Sequence, residues 1–250
     1  MQPFKLPLDK ACNVIDYHPS GLWALEKASG VLSHPNPGKP RERSLLKSPF
    51  DFDKECYNWS DQTGTNRHLF LIHRLDSATS GILLVSDCPS LARQTRQAFA
   101  NREIEKTYLA LVHYSGQSIR SHWQDCLEKH TLGGKIRVNT ARSGSKAITE
   151  AFLEQKKYTQ FGVLALLRLS PKTGRTHQLR VQCAKRRLPI IGDRTYGNFQ
   201  LNRKIARLSN CDRLFLHATK LKVKIEPSDQ ASFIWEVESP LPRAFGKLLG

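Results

Sequence analysis

Short apolar runs constrain the fold of this chain more than any other feature of its sequence. The longest, residues 161–167, is about seven residues long, whereas a helix that crosses a membrane needs about 20 apolar residues. The runs at residues 68–72 and 81–85 have the length and the Leu, Ile and Val content of buried strands. We therefore expect a chain rich in strands, with no membrane-spanning helix.

Helices and further strands are indicated by spacing. Residues 87–89 can start a helix, because proline suits the first turn and apolar residues follow at helical intervals. Residues 177–187 can form a short basic helix. Five further segments are predicted as strands: 107–112, 161–169, 214–218, 221–225 and 233–237. Strands and helices that mix without a regular βαβ rhythm predict an α+β fold with a mixed, mostly antiparallel sheet.

The positive charge of the chain is large and uneven. There are 39 Lys and Arg residues against 22 Asp and Glu, a formal net charge of +17. Residues 168–224 hold 15 of the basic residues, and their only acids are Asp193 and Asp212. Basic side chains that neutralise phosphates release counterions and bind polyanions irrespective of sequence. This segment favours a polyanionic partner such as nucleic acid or an anionic membrane surface, and a solvated basic face is the alternative.

One segment differs from the rest in composition. Residues 33–66 are rich in Pro, Gly, Ser, Asn and charged residues, which is typical of a long loop or an insertion with little regular structure. An RNA-contacting loop and a solvated linker are both open for it. No other change in composition marks a second domain, so we expect residues 1–250 to form a single domain with a loop insertion at 33–66.

The cysteines and histidines give no sign of a metal or cofactor. No two of the six cysteines are closer than 28 positions, which excludes a zinc ribbon or a CxxC redox pair. HExxH, GxGxxG, GxSxG and GxxxxGK[ST] are all absent. The first residues lack the apolar stretch of an export signal. We therefore expect reduced thiols, a cytoplasmic location and no cofactor or metal.

The segment HRLDSATSG, residues 73–81, lies between two predicted strands. Loops at strand ends commonly hold active sites, and Ser, Thr and Gly favour a tight turn. Arg74 and Asp76 are two positions apart, on one side of an extended segment. Asp76 is therefore a candidate nucleophile or general base, or else the salt-bridge partner of Arg74, and the residues alone leave these alternatives open.

Two later segments also carry chemistry. Lys106 and Tyr108 lie at the start of a predicted strand, where a tyrosine can stack on a base, although most such tyrosines belong to the core. The segment KTGRTHQLR, residues 172–180, joins a strand, a glycine turn and a helix start. It could bind a phosphate or a carboxylate through backbone N–H groups and two arginines, or it could be a capped turn with exposed arginines.

Together and in this order, these segments resemble the RluA-type family of RNA pseudouridine synthases. The HRLDxxTSGxLL signature is matched at residues 73–84, K-x-Y at 106–108 and GRxHQLR at 174–180. Residues 189–193, 196–197 and 214–218 also look like the family. The opening segment, residues 23–35, resembles it too, except that Ala28 stands where the family usually has proline.

The resemblance implies the pseudouridine synthase catalytic domain, a mixed, mostly antiparallel sheet with flanking helices and a central basic cleft. It implies isomerisation of uridine to pseudouridine in structured RNA, without a cofactor or metal. Asp76 is then the catalytic carboxylate, which either attacks C1′ or promotes a glycal; Tyr108 stacks on uracil, and Arg175 keeps Asp76 ionised. Substrate contacts are expected from His73, Arg74, Thr79, Lys106, His177, Gln178, Arg180 and Leu216.

Other functions stay open at this point. A non-catalytic RNA-binding or ribosome-assembly protein on the same fold would explain the charge equally well, but it would gain nothing from a carboxylate that repels RNA. A metal-dependent nuclease would need clustered carboxylates, and none cluster near Asp76. About 20 residues precede the opening segment, too few for an S4 RNA-binding domain. We expect a monomer without an obligatory protein partner, acting on rRNA or tRNA, with a mild preference for tRNA.

Overall fold

The computed structural model describes residues 3–38, 43–132, 135–225 and 232–250. Its strands are β1 (Asn13–His18), β2 (Leu22–Lys27), β3 (Phe50–Asp51), β4 (Cys56–Ser60), β5 (Asn66–Leu71), β6 (Ser80–Ser86), β7 (Glu105–His113), β8 (His122–Leu132), β9 (Lys135–Thr140), β10 (Ser145–Thr159), β11 (Gly162–Pro171), β12 (Leu216–Ile225) and β13 (Phe233–Glu238). Its helices are α1 (Pro89–Asn101), α2 (Gln178–Lys185), α3 (Phe199–Ser209) and α4 (Arg243–Leu249). These elements confirm the predicted α+β class.

The chain divides into two compact units. The first comprises Met1–Glu105 and Lys220–Ser239, and the second comprises Lys106–Thr219 and Pro240–Gly250. Strand β12 therefore begins in the second unit and ends in the first. The assignment of the whole chain to a single domain stays a prediction, as does the central basic cleft.

An antiparallel sheet backed by α1 forms the first unit. Strand β2 pairs with β1 and β6, β6 pairs with β5, and β13 pairs with residues 220–225 of β12. The strands supply Leu22, Leu84 and Val223 to the core, where they pack with Leu91 and Ala92 of α1. Helix α1 begins at Pro89, as predicted, because proline at its first position loses no helical hydrogen bond.

Four hydrogen-bonded strands and a short hairpin strand form the frame of the second unit. Strand β11 pairs with β7 on one side and with β10 on the other, and β10 also pairs with β8, which pairs with β9. All these pairings are antiparallel. A small core of Leu127, Val138 and Ala147 packs against Val181 of α2. This frame fixes both the start of β7 and the turn between β11 and α2.

The structure adds detail to one sequence prediction and corrects another. The segment 33–66, for which little regular structure was expected, holds the short strands β3 and β4, and its description as a loop insertion stays a prediction; residues 39–42 of it lie outside the described residues. Cys56 and Tyr57 are buried and pair with β5, which stabilises strands that the polar composition does not reveal. The strands predicted at 214–218 and 221–225 are one continuous strand, β12.

Candidate active site

The connection between β5 and β6 carries four of the predicted site residues in the first unit. Residues 72–79 lie outside regular helix and strand. The Thr79 N–H donates to the Asp76 carbonyl over 3.0 Å, which closes a four-residue turn. Asp76 is half-buried, and Thr79 is buried. The candidate carboxylate is therefore carried on a closed turn, which we call the Asp76 turn, residues 76–79.

A buried lysine ties the Asp76 turn to the end of β2. Lys27 is 0% exposed, and its Nζ donates to the carbonyls of Val31, Ala28 and Ser77 over 2.7, 3.0 and 3.1 Å. The Ser77 carbonyl also accepts from the Gly30 N–H over 2.8 Å. Hydrogen bonds from a charged donor are stronger than neutral ones. The ammonium therefore holds the segment after β2 and the Asp76 turn as one rigid piece.

Two serines add further bonds between the same segments. Ser29 Oγ donates to the Ala78 carbonyl over 2.7 Å. Ser33 Oγ accepts from the Leu75 N–H over 3.1 Å and donates to the Leu75 carbonyl over 3.0 Å. Both sides of Asp76 in the chain are thus bonded to the opening segment. The matched positions upstream of the turn therefore have a structural purpose, which is to position it.

His73 attaches the start of the same connection to β6 and α1. Its Nε2 accepts a hydrogen bond from the Leu84 N–H over 3.0 Å, and its ring stacks on Phe99 with the centroids 4.6 Å apart. An imidazole nitrogen that accepts carries no proton, so this bond requires the neutral ring with its proton on Nδ1. This bond gives His73 a structural role in the first unit.

Arg74 is exposed and lies beside an aromatic side chain. Its Nη1 is 3.2 Å from Nε2 of His34, whose Nδ1 is 2.8 Å from the Pro35 carbonyl. A proton on Nδ1 leaves Nε2 as the acceptor for the guanidinium. Among the described residues Arg74 forms no ion pair. The salt bridge between Arg74 and Asp76 that the sequence left open is therefore not formed.

In the second unit, Lys106 and Tyr108 lie two positions apart on β7 and so share one face of the strand. Antiparallel pairing with β11 sets Tyr108 opposite Leu169. Both side chains are half-buried. Burial lowers the pKa of Lys106, because the charged ammonium is disfavoured where water is displaced.

The turn that carries Arg175 is fixed by the first residue of α2. Gln178 is 4% exposed. Its Oε1 accepts from Thr173 Oγ1 over 2.7 Å and from the Arg175 N–H over 3.1 Å. Its Nε2 donates to the Ile148 carbonyl over 3.0 Å. The Arg175 side chain itself is exposed, and its Nε donates to the Lys146 carbonyl over 3.3 Å. Gln178 therefore positions an exposed guanidinium.

Arg180 is buried inside the second unit, where it forms a bidentate ion pair. Its Nε and Nη2 lie 2.8 and 2.9 Å from the two carboxylate oxygens of Asp193. Asp193 Oδ1 also accepts from the N–H groups of Thr195 and Tyr196. Burial by itself would raise the pKa of Asp193, but the hydrogen bonds and charge of Arg180 outweigh burial and lower it. The pair joins α2 to the segment before α3.

His177 and Leu216 complete the predicted set. His177 precedes α2 with φ +52°, a left-handed conformation, and its Nδ1 is 2.9 Å from Tyr196 Oη. The same hydroxyl accepts from the Val138 N–H over 2.8 Å. Leu216 is buried at the start of β12. His177, Gln178, Arg180 and Arg175 are thus brought together around the start of α2.

Sequence reasoning assigned no individual role to Lys27 or Asp193, which position two of these groups. Lys27 lies in the matched opening segment, but nothing in the sequence marked it as buried. The available signal for Asp193 was that it is one of only two acids within residues 168–224. Each of those acids pairs with an arginine, Asp193 with Arg180 and Asp212 with Arg194.

The described residues contain neither a cluster typical of a metal site nor a helix that could cross a membrane. Within residues 3–38, 43–132, 135–225 and 232–250, no three His, Cys, Asp or Glu side chains come together as a metal site would require. No helix in the same part of the chain has the length and apolar character needed to cross a membrane. All six cysteines are free thiols.

Comparison with known proteins gives a consistent result. Residues 21–185 match the family described as RNA pseudouridylate synthase. Ribosomal large subunit pseudouridine synthase C of Buchnera aphidicola is 34% identical over 241 residues, which cover 95% of this chain and 70% of that protein. tRNA pseudouridine synthase C of Haemophilus ducreyi is 32% identical over 219 residues, which cover 82% of each.

The fold agrees with solved structures. The structure of human RNA pseudouridylate synthase domain containing 1 superposes with a TM-score of 0.66 at 24% identity, covering 100% of this chain and 91% of that one. This likeness confirms the predicted fold. The family match covers more than half of the chain and includes the Asp76 turn, Tyr108 and Arg175. The chain therefore belongs to the RNA pseudouridylate synthase family, whose members are isomerases that convert uridine to pseudouridine in RNA.

Proposed function

We propose that this protein converts uridine to pseudouridine in structured rRNA or tRNA, with Asp76 as the catalytic carboxylate. The observation that carries the proposal is the Asp76 turn, a half-buried carboxylate on a turn that Lys27, Ser29 and Ser33 bond to the rest of its unit. The relatives support both RNA classes, since one is named for ribosomal RNA and another for tRNA.

The reaction sets the demands on the site. The bond between uracil N1 and ribose C1′ breaks, a bond between C5 and C1′ forms, C5 loses its proton and N1 gains one. Nothing is oxidised or transferred to another molecule. A carboxylate at C1′ or at the ribose can start the cleavage only when ionised. The target base must leave its stack before any side chain can reach these atoms.

The remaining catalytic roles are assigned to residues of the second unit. Tyr108 stacks on the detached uracil and assists removal of the C5 proton, and Lys106 on the same strand face is a substrate contact. Arg175 is proposed to keep Asp76 ionised, since a cation favours the charged form of a carboxyl group. The exposure of the Arg175 side chain supports this role, because an exposed guanidinium is available for a new partner.

The other residues predicted to contact the substrate fall into an exposed group and a buried group. Arg74 is exposed and is assigned to the RNA, where it fills the space left by the flipped base or grips its phosphate. Gln178 and Arg180 are buried and bonded to protein groups. We assign these two to positioning the turn and α2. The other predicted substrate contacts remain part of the proposal: His73, Thr79, His177 and Leu216.

The protein is further proposed to act in the cytoplasm as a monomer without a protein partner. Six free thiols are consistent with a reducing compartment. Light scattering during size-exclusion chromatography tests the monomer. A mass near 28.4 kDa is expected, and twice that mass would contradict it.

A purified-protein assay tests the function. The wild type is incubated with rRNA and tRNA transcripts, and pseudouridine is mapped by carbodiimide-dependent stops of reverse transcription. Asp76→Asn keeps the shape of the side chain but removes its charge, so it should lose turnover and still bind RNA. Asp53→Asn is the matched control, since Asp53 is exposed in the same unit, and it should react normally. Normal pseudouridine formation by Asp76→Asn would refute the assignment.

A further inference from the structure

The basic segment 168–224 contains two kinds of positive charge. Eight of its 15 basic residues form ion pairs with carboxylates: Arg168, Lys172, Arg180, Lys185, Arg186, Arg194, Lys220 and Lys222. Among the described residues, Arg203, Lys204 and Arg207 of α3 take part in no ion pair. Asp193 and Asp212, the acids of the segment, are already paired. Three basic residues without an ion pair therefore lie within five positions of one another on α3.

Helix α3 presents these charges on one face. At 100° per residue, Arg203, Arg207 and Lys204 fall within an arc of about 100°. Phe199 and Leu208, at the two borders of that face, are 52% and 53% exposed, and Ile205 alone is buried. The helix contains no acidic residue. We call this surface the α3 face: Phe199, Gln200, Arg203, Lys204, Arg207 and Leu208.

The α3 face brings no benefit to folding. Arg203 and Arg207 lie one helical turn apart, and like charges at this spacing destabilise a helix by about 0.2–0.5 kcal/mol. Phe199 and Leu208 also leave about half of their surface in water, at 52% and 53% exposure. A solvated face would normally mix charges of both signs. A face of this composition is suited to a partner that supplies negative charge at regular spacing together with flat apolar surface.

We propose that the α3 face binds the phosphate backbone of structured RNA. Its three cations neutralise phosphates, and Phe199 packs against the sugar or an unstacked base. Contacts of this kind position an RNA without reading its sequence. This inference rests on the proposed function, because the bound RNA is the enzyme's own substrate. It adds an RNA-contacting surface outside the motifs that contain the proposed catalytic residues.

The salt dependence of RNA binding tests this proposal. The variant Arg203→Gln/Lys204→Gln/Arg207→Gln removes three charges while keeping good helix formers. The control Arg168→Gln/Lys172→Gln/Arg194→Gln removes three charges from exposed but ion-paired residues of the same unit. Fluorescence anisotropy with labelled unfractionated tRNA and with an rRNA fragment, between 50 and 200 mM KCl, measures the affinities.

The α3 variant should bind at least about tenfold more weakly than the wild type at the lowest salt. The slope of log affinity against log salt should fall by about two to three, near one unit for each lost phosphate contact. The control should change the slope by less than one. Equal slopes for the α3 variant and the wild type would overturn the proposal. If the triple variant does not fold, Arg203→Gln should still reduce the slope by about one.

Binding and turnover separate this proposal from the proposed function. If the wild type makes no pseudouridine but the α3 variant loses its salt dependence, the proposed function fails and the α3 face stands. If the wild type makes pseudouridine and the α3 variant binds both RNAs with an unchanged slope, the α3 face fails alone.

Discussion

Replacing Lys27 with methionine should reduce both the turnover number and the stability of the protein. The ammonium of Lys27 donates to three carbonyls. Two of them keep a backbone donor when it is removed, because Ser77 still accepts from Gly30 over 2.8 Å and Ala28 from Val31 over 3.3 Å. The Val31 carbonyl loses the shortest of the three bonds, 2.7 Å.

The magnitude follows from that count. One buried acceptor left without its donor costs about 1–3 kcal/mol, while removal of a buried charge recovers part of its desolvation cost. We therefore expect the free energy of unfolding to fall by about 1–3 kcal/mol. The bond from Lys27 to the Asp76 turn disappears as well, and a misplacement of about 1 Å can reduce a rate by about 100-fold. The turnover number should fall by that order.

Two measurements check this result. Urea unfolding followed by circular dichroism gives the stability, and release of tritium from C5-labelled uridine in RNA gives the turnover number. Lys10→Met is the control, because Lys10 is exposed in the same unit, and it should change neither quantity. Ser29→Ala removes only the bond to Ala78 and should give a smaller loss of turnover. A folded Lys27→Met protein with the wild-type turnover number would refute the positioning role.

Three further predictions concern the second unit. Asp193→Asn leaves Arg180 buried without its carboxylate and should cost about 3–5 kcal/mol in urea unfolding; a loss below 1 kcal/mol would contradict the buried pair. Asp125 and Asp193 both have pKa values lowered in the folded state, where the bonds from their cationic partners outweigh burial. The unfolded chain therefore binds more protons in acid than the folded chain does. The stabilisation from these two carboxylates should be fully present above about pH 4 and should fall as the pH drops below it. A urea midpoint that is constant from pH 6 to pH 3 would be inconsistent with this. Gln178→Leu removes the hydrogen bonds that fix the Arg175 turn. It should lower the free energy of unfolding by about 1–3 kcal/mol and also lower the turnover number. Unchanged turnover together with lost stability would make Gln178 merely structural.

Elements with a clear apolar period were predictable from the sequence. Strands β5, β6, β11 and β13 lie where alternation or a short apolar run predicted them, and α1 begins at the predicted proline. In each of these strands the buried side chains either follow one another or alternate with more exposed ones. The spacing of apolar residues in the sequence therefore predicts the strand directly. The signal was strongest in β6, whose seven residues are all buried.

Elements with little burial were not predictable. Strand β10 continues through residues 152–158, all of which are exposed, so no period of two marks its second half. Helix α3 buries only Ile205. Strand β10 is held by backbone pairing with β8 and β11, and α3 is fixed by hydrogen bonds between Asn202 and the segment before it; neither leaves a local pattern of hydrophobicity.

The motifs of the candidate site were predictable from the sequence, but the residues that position them were not. The motifs identified Asp76 and Arg175 as candidates, yet the partner of Lys27 lies 50 positions away at Ser77, and only the folded chain brings them together. Arg180 belonged to a motif with two arginines that could both have met a phosphate. Its burial against Asp193, 13 positions later, separates it from Arg175, which is exposed.

RNA from cells gives a direct test of whether this protein makes pseudouridine with Asp76. Pseudouridine is mapped by carbodiimide-dependent reverse-transcription stops in total RNA from cells that lack this gene. The same map is made after complementation with the wild type or with Asp76→Asn. At least one pseudouridine site in rRNA or tRNA should be lost from these cells, and the wild type should restore it while Asp76→Asn does not. Restoration of that site by Asp76→Asn would show that pseudouridine forms without this carboxylate.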